Sequence, residues 1–184
     1  MKYRERFTKC LINPTEEEIL ERDPLLLFSF YLAGRVNVLC VIGDEILENL
    51  DKGFSAGCID SGRIDRAESF MWLWILGAYE VVRTMHQAKQ CFSERLTNDL
   101  QCLKKSLATV RMPAAKMEKP GTRAAVTSNR SPNGWDIGNR DLLINDPDES
   151  VNITVRNILK EFDGVFCSIT KADVLANHET TYSG

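Results

Sequence analysis

Apolar residues in this chain recur at helical spacing over most of its length. The clearest case begins at Ser93, where Leu96, Leu100, Leu103, Leu107 and Val110 step alternately by four and three residues, the spacing of one helix face. Earlier, Thr15-Glu-Glu-Glu18 forms a capping-box pattern, in which the Thr15 hydroxyl accepts from the Glu18 amide and the Glu18 carboxylate reaches back. A short helix is predicted from there. Asp23-Pro24 stops it and opens another, because Asp caps well and Pro at the first helical position gives up only an N–H that lacks an intrahelical partner.

The next break is Gly53, so the pattern predicts one long helix over residues 24 to 52, bent near Gly34. Leu25 to Leu32 is apolar on every side, which predicts a central position. Farther along, Val36, Leu39, Gly43, Ile46, Leu47 and Leu50 share one face, while Asn37, Asp44, Glu48 and Asp51 share the opposite one. Asp60 or Ser61 caps a second long helix, to residue 87, with Ile64, Met71, Ile75, Ala78, Val82 and Met85 on one side. Trp72, Leu73 and Trp74 make its middle apolar all round, so it reads as the second central helix. The helix that begins at Ser93 is expected to end at Arg111-Met-Pro113.

Residues 113–141 lose the period and are punctuated by Pro120-Gly121, Ser131-Pro-Asn-Gly134 and Gly138, a loop or linker. Asp141 to Ile144 and Val151 to Ile153 flank the turn-rich Asn145 to Ser150, which predicts a small hairpin. Thr154 caps a last helix through Val155, Ile158, Leu159, Phe162, Val165, Phe166 and Ile169, and the final dozen residues are expected to fray. The predicted fold class is therefore mainly α: a helical bundle over 1–112, a loop over 113–141, and a small C-terminal β-hairpin plus helix over 142–184 packing back on the bundle as one domain.

Composition adds exclusions. With 184 residues, 43% hydrophobic and 27% charged, collagen, rod and wholly disordered classes fall away. The N-terminus alternates charge and offers no apolar signal core, and the apolar runs at Leu25 to Gly34 and Phe70 to Tyr79 are half the length of about 20 residues that a membrane span needs. A cytoplasmic protein without membrane partners is expected. The six cysteines include no CxxC pair, so neither zinc nor a redox dithiol is signalled, and Asn129-Arg-Ser131 and Asn152-Ile-Thr154 match the glycosylation sequon only formally.

Charge is distributed unevenly: residues 83–130 carry 10 basic and 3 acidic groups, a balance of +7 in a chain whose net charge is -3. Lys89, Arg95, Lys104, Lys105, Arg111, Lys116, Lys119 and Arg123 are the candidates for a basic surface facing an anionic ligand or nucleic acid. The helical projection shows no basic stripe and no interleaved aromatics, which disfavours nucleic acid and favours neutralisation of acidic segments of the same fold or of a second subunit. Arg35 projects toward Leu32, Leu39, Ile42 and Ile46, where an unpaired guanidinium would be costly, so Glu80 is its expected partner, with Arg83 one turn on. His86 follows on the same helix, making Arg35, Glu80, Arg83 and His86 the ligand-binding candidates.

Catalytic signatures are missing. The chain contains no G-x-x-x-x-G-K-[ST], G-x-G-x-x-G, HExxH or GxSxG, and Glu80-Val-Val-Arg83 places Arg where a ferritin-like Glu-x-x-His motif needs its second metal ligand. Asp44, Glu48 and Asp51 read as a solvated acidic face, and no metal or cofactor is expected. Two helices that are apolar all round need more cover than two or three neighbours supply, which predicts a homodimer joined through helices. The expected function is a non-enzymatic interaction or small-ligand-binding protein; the alternative is an enzyme acting on an anionic substrate, a nucleotide or nucleic acid, through Glu80, Arg83 and His86.

Overall fold

The computed structural model describes residues 1–55, 57–119, 121–122, 124–125, 134–144 and 152–178. The chain is mainly α, with 68% of the described residues helical and a two-stranded antiparallel sheet ahead of the last α-helix. Its helices are α1 (Lys2–Glu5), α2 (Glu16–Arg22), α3 (Phe30–Gly53), α4 (Ser61–Gln87), α5 (Glu94–Lys116) and α6 (Val155–Cys167), and its strands are β1 (Gly134–Asp136) and β2 (Asp141–Leu143).

Capping chemistry sets most boundaries where the sequence places them. Thr15 and Glu18 form the reciprocal capping box of α2, the Asp60 carboxylate accepts from the Arg63 amide at α4, and the Ser93 and Thr154 hydroxyls accept from Leu96 and Asn157 at α5 and α6. The long helix expected over 24–52 is not continuous. Pro24–Leu27 is a 3-10 turn, and Ser29 adopts an extended conformation whose hydroxyl accepts from the Leu32 amide, starting α3 at Phe30. This break lets Leu25 and Phe28 turn inward while Phe30 and Tyr31 face solvent, so the expected all-round burial of this segment does not hold. Trp72 and Leu73 are likewise exposed on α4, and only Trp74 of that trio is buried.

Helix α5 passes through Pro113 and ends at Lys116, three residues beyond the expected stop, with Met117 in the left-handed conformation (φ 53°). Pro113 lacks the amide that would reach back one turn, but it sits near the helix end and its ring is buried in the core. The Ala114 carbonyl accepts from Trp72 Nε1 at 3.0 Å, so tertiary contact holds the added turn.

The small hairpin is also shifted. β1 pairs with β2 in the register Gly134 with Leu143, Trp135 with Leu142 and Asp136 with Asp141. The expected second arm contributes only a Leu143–Thr154 bridge and the Ile153 carbonyl, which accepts from Ile144 at 3.0 Å; the turn over 145–150 and Val151 lie outside the described residues. Much of the expected linker, including the sequon at Asn129, also lies outside them.

One core joins these elements. α4 packs along α3 on one side and α5 on the other, and α6 closes the bundle with Phe162 and Phe166 fully buried. Residues 171–178 dock rather than fray. Leu175 donates to the Cys91 carbonyl at 2.8 Å, His178 donates to that of Phe28 at 2.9 Å, and Val174 bridges Phe92.

Asp173 is the clasp of this segment. Its carboxylate accepts from the Ser93 hydroxyl at 2.7 Å, the Thr170 hydroxyl at 2.7 Å and Arg95 Nη2 at 2.6 Å. Burial works against its charge, but Arg95, Ser93 and Thr170 together outweigh burial and hold the carboxyl far below its ordinary 3.8. A depressed folded-state value stabilises above the ordinary Asp range, and that stabilisation is lost as pH falls below it. Replacing Asp173→Asn is expected to cost about 1–3 kcal/mol at neutral pH in urea titrations. The gap between variant and parent should hold above about pH 4 and narrow steadily on acidification below it, as the unfolded chain takes up the proton that the folded carboxylate resists; a gap of constant size would show that the charge is not what holds the segment.

Candidate functional site

The ionisable residues singled out from the sequence do not form one cluster. On the surface where α4 runs antiparallel to α5, the Glu80 carboxylate meets Arg83 at 2.7 Å and, more loosely, Arg111 at 3.7 Å. Arg111 lies over the Tyr79 ring, 4.6 Å from its centroid, and its Nε is buried without a hydrogen-bond partner. One turn along, the Lys104 ammonium donates to His86 Nδ1 at 3.0 Å. An ammonium only donates, so Nδ1 carries the lone pair and the ring proton sits on Nε2.

Arg35 lies apart from this group. Its guanidinium stacks over Tyr31 at 4.7 Å, the residue is exposed, and Glu80 bonds to Arg83 and Arg111 instead. The expected Arg35–Glu80 pairing is thus replaced by an α4–α5 pairing. With the 24–52 helix broken at Ser29, the phase of α3 is set by Leu32, Val36, Leu39 and Leu50, and Arg35 falls on its outer flank.

This seam is chemically occupied. Burial and then the Lys104 and Lys89 charges lower the pKa of His86 from its ordinary 6.5, keeping it neutral near neutral pH. Among the described residues His86 bonds only to Lys104, and the nearby Thr84 hydroxyl donates to the Glu80 carbonyl at 2.8 Å. No nucleophile among the described residues is aligned on the imidazole. Glu80 and Arg83 are nearly half exposed, an arrangement that suits a surface ion-pair network.

The other basic candidates divide in the same way. Arg95 bridges Asp173 and Asp99, so part of the +7 segment does neutralise acidic groups of the fold. Lys105 and Lys116 are exposed and form no ion pair among the described residues; Arg123 lies outside them. The acidic face of α3 is also engaged, with Asp44 bound by Arg4, Glu48 by Lys52 and Asp51 by Arg156.

A more distinctive feature lies on the opposite flank of α4. Phe30 (84%), Tyr31 (65%), Val38 (50%) and Leu73 (51%) are exposed apolar side chains on α3 and α4. On α3, Tyr31, Arg35, Val38, Ile42 and Glu45 follow steps of four and three, a stripe along its outer flank. Phe70, Leu73 and Gly77 carry the adjoining stripe of α4, and the Cβ that Gly77 lacks would stand 3.1 Å from Leu39, which shows how closely the helices approach. The sequence shows that these helices have too much apolar surface. Only their rotation about their axes shows which residues carry the surplus.

Two results are expected at the charged seam. Lys104→Ala removes a positive charge facing His86, so the imidazole pKa should rise toward 6.5 in an NMR titration; no movement would mean that burial alone sets it. Glu80→Gln should lower stability by no more than about 1 kcal/mol, since its partners are solvent-screened; a larger loss in thermal or urea unfolding would show a structural network.

Comparison with protein-family models, with curated proteins and with solved structures gave no match.

Proposed function

We propose that this is a non-enzymatic interaction protein that acts as a homodimer through the outer face of α3 and α4. The observation that carries the reading is the α3 stripe itself. Tyr31, Val38 and the half-buried Ile42 recur at the spacing of helix-packing positions but face outward. Exposed apolar surface of this kind, rimmed by charge, marks association sites.

A second copy fits the stripe by charge as well as by shape. Arg35 lies toward one end and Glu45 ten residues toward the other, about 15 Å along the axis. Neither forms an ion pair with another described residue. A two-fold antiparallel pairing of α3 with its copy sets the Tyr31 and Arg35 end against the Ile42 and Glu45 end, twice, and places Val38 near the axis. Phe70 and Leu73 of α4 extend the apolar area beside it.

The enzymatic alternative draws less support. Among the described residues His86 has no aligned partner for proton transfer to a nucleophile, and its Nδ1 is taken by Lys104. An anionic ligand at the seam is favoured only by the unpartnered Arg111 Nε.

Light scattering over a concentration series tests the dimer. The parent should be dimeric, and Val38→Glu should leave a folded monomer. Arg35→Glu and Glu45→Arg should each weaken association by about tenfold, and the two together should restore it. A parent that is monomeric throughout, or charge reversals that do not compensate, would overturn this arrangement.

A further inference from the structure

Away from the α3–α4 face and the charged seam, the end of α1, the end of α2 and the segment that follows α6 meet around a small cavity. It encloses about 360 Å³, toward the lower end of the range of small-molecule sites, ~300–1,000 Å³. Three of its lining residues are cationic and one is acidic. Arg6 caps the end of α1, Arg22 is the last residue of α2, and Lys171 opens the 3-10 turn Lys171–Asp173. The acidic residue is Glu21, and Lys171 already holds its carboxylate at 3.0 Å.

The two guanidiniums are fixed in place without a carboxylate. Arg6 donates through Nη2 to the Cys167 carbonyl at the end of α6 and lies over the Tyr3 ring, 5.9 Å from its centroid. Arg22 donates through Nε to the Arg6 carbonyl at 2.5 Å and through Nη2 to that of Lys9, and it lies over the Phe7 ring at 5.5 Å. Carbonyls and rings orient these groups but bring no full negative charge to them. Neither arginine forms an ion pair among the described residues, where Arg6 Nε and Nη1 and Arg22 Nη1 also make no hydrogen bond. Asp23, whose carboxyl senses the Arg6 charge, accepts from the Tyr3 hydroxyl instead. Both arginines are half-buried, so an anion placed between them meets less screening than it would at an open surface.

We infer that this cavity binds a phosphate group, free or carried on a small organic body. Arg6, Arg22 and Lys171 against Glu21 leave the lining with a surplus of two positive charges, which a phosphate dianion matches and a single carboxylate does not. Guanidinium forks fit phosphate oxygens, and donors that arrive from three separate segments suit a tetrahedral anion better than a planar one. Pro24 and Ile169 supply an apolar side against which an organic body rests. None of these residues belongs to α3 or α4, so the inference does not depend on dimerisation.

The test follows the backbone amides of the full chain by NMR at constant ionic strength, with inorganic phosphate, phenyl phosphate and phenylacetate as probes. The two phosphates should give saturable shifts at Arg22, Cys167 and Thr170, with at least about tenfold tighter binding than phenylacetate. Tighter binding of phenyl phosphate than of inorganic phosphate assigns the site to an ester, and the reverse assigns it to the free ion. Arg22→Lys, which keeps the charge and loses the fork, should weaken phosphate binding by about tenfold. Lys171→Gln leaves the carbonyl contacts of both arginines intact, so it should weaken binding about fivefold with little change in the melting curve. Equal binding of phosphate and phenylacetate, shifts that do not saturate below about 10 mM, or unchanged affinity in Lys171→Gln would overturn the assignment.

Discussion

The rotation of α4 about its own axis decides almost everything else in this molecule, and Trp74 fixes that rotation. Its side chain is fully buried, its Nε1 donates to the Leu39 carbonyl of α3 at 3.0 Å, and its ring meets Phe162 of α6 edge-on at 5.1 Å. One residue therefore ties three helices together, by a hydrogen bond that a buried indole N–H needs and by aromatic packing of defined geometry. Gly77, one turn on, lets α3 approach to a distance that a methyl group would crowd. With Trp74 pointing inward, Trp72 and Leu73 must diverge to opposite flanks at about 100° per residue. The Trp72 contact with Ala114 on one side and the exposed Leu73 on the other both follow from that phase.

Electrostatics plays a local role. The positive balance of residues 83–130 is drawn in several directions: Arg95 reaches the C-terminal segment, Arg83 and Arg111 hold Glu80, and Lys104 caps a neutral histidine. Of these, the Asp173 cluster is the one in which a shielded carboxylate gathers donors from two segments, and it organises chain far from it in sequence. The Glu80 group, open to water, does little beyond covering the α4–α5 seam. The same residue types thus take different weight according to burial, since attraction between charges grows as water is excluded. A further buried polar pair shows the same rule, as the Tyr3 hydroxyl donates to Asp23 at 3.0 Å in a setting where burial raises the pKa of that carboxyl.

What is exposed on this protein is more informative than what is hidden. A chain of this size can bury a full core, and here it does so with α3, α4, α5 and α6. Among the apolar side chains left exposed, Phe30, Tyr31 and Val38 of α3 and Trp72 and Leu73 of α4 lie on helix flanks. Arg35 and Glu45 accompany the α3 stripe with opposite signs, which suits self-association.

The sequence by itself determined the helical class, the starts of α2, α4, α5 and α6, and the core face of α5. Caps such as Thr15, Ser93 and Thr154 act on amides within three residues, and a period of 3.6 registers the buried side of any helix with one wet face. It misplaced the break at Ser29, the end of α5 beyond Pro113 and the partner strand of the hairpin. Each depended on long-range contact: Phe28 finding Phe92 at 4.5 Å, Trp72 reaching Ala114, and β2 choosing β1. The faces read from the period for α3 (Val36, Leu39, Gly43, Ile46, Leu50) and α4 (Ile64, Met71, Ile75, Ala78, Val82, Met85) are the buried ones, yet they could not choose among Arg35, Arg83 and Arg111 as the partners of Glu80, because a helical period marks the wet and dry sides of one helix and not which neighbour lies beside it. The tertiary structure decided that pairing by setting α3 against one side of α4 and α5 against the other, with Trp74 tying α4 to α3 and α6.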